Sequence, residues 1–99
     1  MEPLTGAQRR YLRSLAHHLD PICFVGKSGL TDAVVQAVDA AFDAHELLKV
    51  KFIDCKKEKR ELSAAIEQLT NSAVAGLIGN IVILYRQHSD PEKRRVQLP

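Results

Sequence analysis

The sequence predicts an α/β domain in which helices pack on a mixed four-stranded sheet. Three observations carry this prediction. The apolar residues change period along the chain, from helical spacing to alternation and back, in the order α-β-α-β-α-β-β. Gly79-Asn80 separates two β-branched runs, a signal for a hairpin. The chain has 99 residues, enough for one domain with one modest core.

The first helix opens at Thr5, with Gln8 at capping-box spacing. Leu12, Leu15, Ala16 and Leu19 then recur at helical intervals, and Pro21 sets the end. Arg10, Arg13 and His17 share the opposite, basic face. "PICFVG" reads as a buried strand between Pro21 and Gly26. The second helix starts at Thr31, a good N-cap, with Asp32 in the first turn; Val34, Val35, Val38, Ala41 and Phe42 form its buried stripe. From Leu48 the chain alternates: Leu48, Val50 and Phe52 point one way, and Lys49, Lys51 and Ile53 the other. The third helix follows the charged "DCKKEKR" and carries Leu62, Ala65, Ile66 and Leu69 to its end at Asn71. Strands through Val74–Ile78 and Ile81–Arg86 flank the Gly-Asn turn. Residues 1–88 are predicted to form the domain, and 89–99 a polar C-terminal tail.

Composition is that of an ordinary globular protein, 45% hydrophobic and 26% charged, with a formal charge of +2. The charges are segregated. Arg9, Arg10 and Arg13 form one basic group, Lys56, Lys57, Lys59 and Arg60 a second, and Lys93, Arg94 and Arg95 a third. Acids gather at Asp32, Asp39, Asp43 and Glu46. A basic side is one reading of this pattern and simple solubility the other. Cys23 and Cys55 have no metal-ligand spacing, and Cys23 reads as a small core hydrophobe. No signal peptide and no membrane-spanning stretch is apparent, so the sequence predicts a cytoplasmic protein with no membrane partner.

The segment "CFVGKSGLT" contains Gly-Lys-Ser, but it is no P-loop. The early glycine that a P-loop requires falls at Pro21, which has no N–H and a locked φ. What remains is a G-x-x-G loop, Gly26-Lys27-Ser28-Gly29, between a strand and a helix start. Glycines allow close approach of a ligand to the backbone, the helix start favours an anion, and Lys27 adds a positive charge. The loop is then either a phosphate clamp or a turn that needed glycine for its angles. A G-x-x-G loop before a helix is how KH domains hold a single-stranded nucleic-acid backbone. Arg10, Arg13, Lys49 and Lys51 are available to position a backbone. Stacking candidates are few; Tyr11 and Tyr85 are the two, each with a rim or core role as the alternative.

The sequence also resembles a known family, the YhbY family, the stand-alone bacterial form of the CRM RNA-binding domain. Leu4, Gln8, Leu12, Ala16 and His17 match its first-helix pattern, Gly26 to Thr31 its "G-x-x-G-L-T" loop, Glu46 to Lys51 its "E-L-[IL]-K-V-K" strand, and Leu84, Tyr85 and Arg86 its closing "L-Y-R". The resemblance runs from about residue 4 to 86. It implies a fold similar to the C-terminal domain of translation initiation factor 3. It also implies binding to structured RNA, specifically ribosomal RNA in precursors of the large subunit, and a role in ribosome assembly. Plant organelle relatives carry the domain in intron splicing factors. On this basis the RNA-binding set is Gly26, Lys27, Ser28, Gly29, Arg10, Arg13, Lys49, Lys51 and Arg86, in a monomer with no cofactor and no metal. Whether "KKEKR" joins that surface or only solvates a helix start is left open by the sequence.

Two other functions compete with RNA binding. Catalysis would need a nucleophile, a base and an orienting group within reach. His17, His18, His45 and His88 are candidate bases, but none is spaced to pair with a serine or cysteine, and no metal pattern exists. A protein-interaction adaptor without RNA contact would use the acidic face of the second helix, Asp39 and Asp43.

Overall fold

The computed structural model describes residues 3–99; Met1 and Glu2, the start of the predicted domain, lie outside the described residues. Local signals set the helices. Thr5 opens α1 (Gly6–Ala16): its hydroxyl accepts from Gln8 N at 3.1 Å, and Gln8 Oε1 accepts from Thr5 N at 3.0 Å. The Thr31 hydroxyl accepts from Val34 N at 3.2 Å and caps α2 (Asp32–Ala41). A 3₁₀ turn at Lys56–Glu58 leads into α3 (Lys59–Thr70), which ends on Asn71 in the left-handed region at φ 52°.

Between and after them run β1 (Cys23–Val25), β2 (Leu47–Phe52), β3 (Ala73–Ile78) and β4 (Ile81–Tyr85). The predicted element order holds. The strands form one mixed sheet of order β1-β2-β4-β3, with β1 parallel to β2 and the other pairs antiparallel. The Gly-Asn hairpin forms, with Ile78 opposite Ile81 and Gly79 at φ 58°.

One sheet face packs on α2 and α3. Val25, Leu48, Val50, Phe52, Val82 and Leu84 meet Val38, Phe42 and Ile66 there. Cys23 joins this cluster as predicted, and burial pushes its thiol pKa up. The other face packs on α1, where Leu12 and Ala16 cover Ala73, Ala75, Ile83 and Tyr85. α1 lies over the β3 side of this face. The β3–β4 register shifts between Val74 and Gly76, and the Arg13 side chain lies close over Gly76, where an added Cβ would sit 2.7 Å from Arg13 Cδ and push that side chain aside.

The structure corrects several expectations. The predicted apolar stripe of α1 is only half buried: Leu12 and Ala16 are enclosed, whereas Leu15 and Leu19 are each 39% exposed, Leu19 lying beyond the helix end at Ala16. Leu69 of α3 is exposed as well. β1 is not a fully buried strand. It is an edge strand with one face covered, so Cys23 and Val25 are buried while Phe24 between them is 47% exposed. The predicted polar tail is laid back on the domain. After a 3₁₀ turn at Pro91–Lys93, Val96 and Leu98 pack against the α1-side core, and Pro99 O accepts from Gln8 Nε2 at 3.3 Å.

Glu46 holds that segment. Its carboxylate is 4% exposed and accepts three backbone N–H groups: His88 at 2.7 Å, Arg95 at 2.5 Å and Val96 at 2.9 Å. Burial pushes its pKa up, but the three N–H groups and the nearby His88 outweigh this and hold it below the ordinary range.

Candidate nucleic-acid interface

The G-x-x-G loop is a tight turn on the end of β1. Gly29 N donates to Gly26 O at 3.0 Å, and Gly29 takes φ 71°, where a side chain would be strained. At Gly26 an added Cβ would meet nothing within 4 Å, so that position is open toward solvent. Lys27 and Ser28 form the exposed tip. Asp32 already sits in the first turn of α2 and answers its dipole. A second anion at this loop therefore relies on lysine charge and the turn backbone more than on the helix dipole.

Three further segments converge on the same end of the sheet. Ile53 N and Asp54 N both donate to Val25 O, at 2.9 and 3.1 Å, and Phe52 N donates to Asn80 O at 2.7 Å. Cys55 then turns the chain at φ 55°, its N–H held by Asp54 Oδ1 at 2.7 Å, and its Sγ lies 3.6 Å from Gly26 O. This contact joins the lysine-rich segment to the G-x-x-G loop, a link that the sequence left open. Lys56 and Lys57 are exposed beside the loop with no side-chain partner among the described residues. Lys59 is engaged within the fold instead. Its Nζ donates to Gly79 O at 2.7 Å and ties α3 to the hairpin turn.

The remaining predicted residues separate into groups. Lys51 is exposed near the loop, in register with Phe24. Arg10 is exposed on the outer side of α1. Arg13 is half-buried against β3, with Nη1 donating to Ala75 O at 3.1 Å. Lys49 donates to Leu19 O at 2.9 Å and closes the end of the first helical segment onto β2. Arg86 is at the opposite end of the sheet. Its neighbour Tyr85 pairs with Leu47 at the start of β2, whereas the loop follows Val25, which pairs with Phe52 at the end. Arg86 ion-pairs with Asp39 at 2.6 Å, donates to Thr70 O at 2.9 Å, and lies 4.6 Å over the Phe42 ring. Tyr85, one of the two stacking candidates, is 2% exposed and belongs to the core; Tyr11 is exposed on α1.

The sequence reading missed Phe24. Expected within a buried run, it proves to be the exposed aromatic on the strand that leads into the loop. The available signal was the shortness of the run, which suits an edge strand as well as a buried one. Among the described residues no group of three or more His, Cys, Asp and Glu is placed to hold a metal ion, and the His17 and His18 rings meet edge to face. Nor is any helix of the described residues long and apolar enough to cross a membrane.

Comparison with known proteins bears on the family and the fold. The family model of the CRS1 / YhbY (CRM) domain matches residues 4–86. A Bacillus subtilis protein named "Probable RNA-binding protein YqeI" is 38% identical, with 97% of this chain and 99% of the relative covered. A Haemophilus influenzae protein named "RNA-binding protein" is also 38% identical, over 100% of this chain and 98% of its own. The solution structure of a hypothetical protein from Staphylococcus aureus superposes with a TM-score of 0.82 at 35% identity, covering 97% of this chain and 99% of that one.

Proposed function

This chain belongs to the CRS1/YhbY (CRM) domain family, and on that premise we propose that it is a non-catalytic RNA-binding protein that holds an RNA backbone at its G-x-x-G loop. The observation that carries the proposal is the shared end of the sheet. There the turn Gly26–Gly29 lies beside Lys27, Lys51, Lys56 and Lys57, all exposed and without a side-chain partner among the described residues. Backbone N–H groups and free ammonium groups on one rim make a phosphate-positioning surface. Arg10 is exposed on α1, which packs mainly on the β3 side of the sheet, so it supplies charge away from the loop. Arg13 and Lys49 each commit a donor to the backbone of their own fold and serve as flanking charge. Arg86 is assigned to the fold rather than to RNA.

The cargo we assign is ribosomal RNA in large-subunit precursors, the role the family resemblance implies. We take the protein to act in the cytoplasm as a monomer, with no cofactor and with the C-terminal segment folded as part of the domain. The adaptor reading is weaker, because Asp39, half of its acidic face, is engaged by Arg86.

The test places a carboxylate where a phosphate belongs. Gly26→Asp adds a side chain into open space, so the fold tolerates it. The expected outcome is a fall in RNA affinity of about tenfold or more with an unchanged melting temperature, the scale on which repulsion replaces one charge-assisted hydrogen bond to phosphate. Unchanged affinity would remove the loop from the interface. For the cargo, the tagged protein is sedimented from lysate through a density gradient. Co-migration with particles slightly lighter than the mature large subunit, abolished at high salt and in Gly26→Asp, supports ribosome assembly. Migration only at the top of the gradient excludes it.

A further inference from the structure

We infer that the uncovered end of the α1-side sheet face is a docking surface for a partner protein, seating an amphipathic helix that carries aliphatic side chains and a carboxylate. Such a surface is additional to RNA binding and does not depend on it. Two neighbouring rows of this face differ. The first row runs Lys49, Ile83 and Gly76 across β2, β4 and β3, and α1 covers it. Lys49 Nζ donates to Leu19 O, Ile83 is buried, and the Arg13 side chain lies over Gly76. The second row lies two residues further toward the loop: Phe24, Lys51, Ile81 and Ile78, across all four strands. Val25, Phe52 and Val82, next to them in the chain, sit in the α2-side core, so by alternation this row points to the α1 side. α1 stops short of it. Phe24 is 47% and Ile78 60% exposed, Lys51 is exposed and Ile81 half-buried. Ile22, two residues before Phe24, and Ile53, two after Lys51, extend the same face and are exposed as well.

Contiguous exposed apolar side chains of this kind mark interaction sites. Five of these six side chains are apolar, and four are isoleucine. Isoleucine offers a nucleobase no aromatic plane to stack on, whereas an aliphatic partner gains the free energy of burying it. The spacing suits a helix. Adjacent strands lie about 4.8 Å apart, close to the ~5–6 Å between helix side chains three or four residues apart. The fold covers the remainder of this face with a helix of its own, α1, and with the C-terminal segment. Charge narrows the partner further. Lys51 stands inside the row with no side-chain partner among the described residues, and Lys56 and Lys57 follow closely after Ile53. A wholly apolar helix would bury the Lys51 ammonium unanswered, which is costly, so the helix presents a glutamate or aspartate there. Lys51 is thus where this face meets the phosphate rim. A second copy of the chain fits poorly, since apposing two such rows buries both lysines with no carboxylate between them.

The probe is a synthetic amphipathic peptide of about 18 residues, five helical turns, with leucine at every third or fourth position and glutamate beside the leucine stripe. Its counterpart carries lysine in place of glutamate. Binding of each labelled peptide to wild type, Ile78→Ser and Lys51→Glu is followed by fluorescence anisotropy. Wild type should bind the glutamate peptide at least tenfold more tightly than the lysine peptide. Ile78→Ser should lose about tenfold in that affinity, the loss of one buried aliphatic side chain. Lys51→Glu should reverse the preference between the peptides. Ile78 is 60% exposed, so the serine variant keeps its fold, and its RNA affinity should equal that of wild type. No binding of the glutamate peptide, equal binding of both peptides, or a silent Ile78→Ser overturns the inference. If Ile78→Ser instead weakens binding of a ribo-oligonucleotide, the face belongs to RNA; the inference falls and the RNA-binding function stands. If wild type sediments as a dimer that Ile78→Ser dissociates, a second copy takes the face and the inference falls again.

Discussion

The two ends of the sheet use the same residue types for opposite purposes. At the end where β2 begins, charges are engaged. Glu46 accepts three backbone N–H groups, and Arg86 reaches Asp39, Thr70 O and the Phe42 ring. At the end where β2 finishes, Lys27, Lys51, Lys56 and Lys57 have no side-chain partner among the described residues. A charge already satisfied by the protein stabilises the fold and has little left for a ligand. A charge facing water contributes little to stability and keeps its full capacity for phosphate. The comparison thus divides the basic residues by engagement, which neither their number nor their position in the chain reveals.

The comparison breaks first at Glu46. Glu46→Ala leaves three N–H groups of the C-terminal segment without an acceptor and should cost about 3 kcal/mol or more, read from urea unfolding. RNA affinity of the folded fraction should not change. The same carboxylate sets an acid limit. Its folded pKa lies below the ordinary 4.5, so its stabilisation is complete above that value and drains as pH falls through the lowered one. Wild type should therefore lose stability with acid below about pH 4.5 more steeply than Glu46→Gln, which has no such proton to bind. A parallel decline in the two proteins would show that Glu46 is not the group responsible.

Arg86→Ala is the next largest. It removes a half-buried guanidinium that joins α2, the end of α3 and β4, and should cost about 2 kcal/mol. A drop in RNA affinity in the stably folded variant would instead return Arg86 to the interface and undo the division between the two ends.

What the sequence made legible was local. The Thr5 and Thr31 caps, the Gly79-Asn80 turn and the G-x-x-G spacing involve residues within a few positions of one another, and each formed as read. What it hid was long-range. Arg86 and Asp39 are 47 residues apart, and Glu46 and Val96 are 50 apart. Nothing in either neighbourhood announces the partner. Arg13 looked free on a helical wheel because the wheel cannot show that β3 runs beneath it, with Gly76 leaving room for its side chain and Ala75 O accepting its donor. Phe24 looked buried because a short apolar run does not say whether its strand is central or at an edge.

At the loop end the changes should be smaller and should appear in binding only. Lys56→Ala and Lys57→Ala should each weaken RNA binding about threefold, with unfolding midpoints unchanged, since neither side chain has a partner to lose. The salt dependence sharpens this. Four lysines meeting phosphates of a single strand give a slope of about −3 in log affinity against log salt, and each removal should flatten it by about 0.7. A slope unchanged in Lys56→Ala would place that lysine outside the interface, however close Cys55 brings it to Gly26.

The smallest effect tests the comparison from inside the fold. Ser63 on α3 is buried, and its hydroxyl has no hydrogen-bond partner among the described residues. A buried, unanswered hydroxyl is the reverse of Glu46: a polar group that the fold encloses without engaging. Ser63→Ala removes that unmet demand and adds helix propensity, so it should raise stability by about 0.5–1 kcal/mol. RNA affinity should stay where it was, since the change is made inside α3 and away from the lysine rim. A fall in stability would mean that the hydroxyl is satisfied in solution, by a bound water or a rotated side chain. In that case engagement would have to be measured, charge by charge, before it could be used to separate residues that hold the fold from residues that hold the ligand.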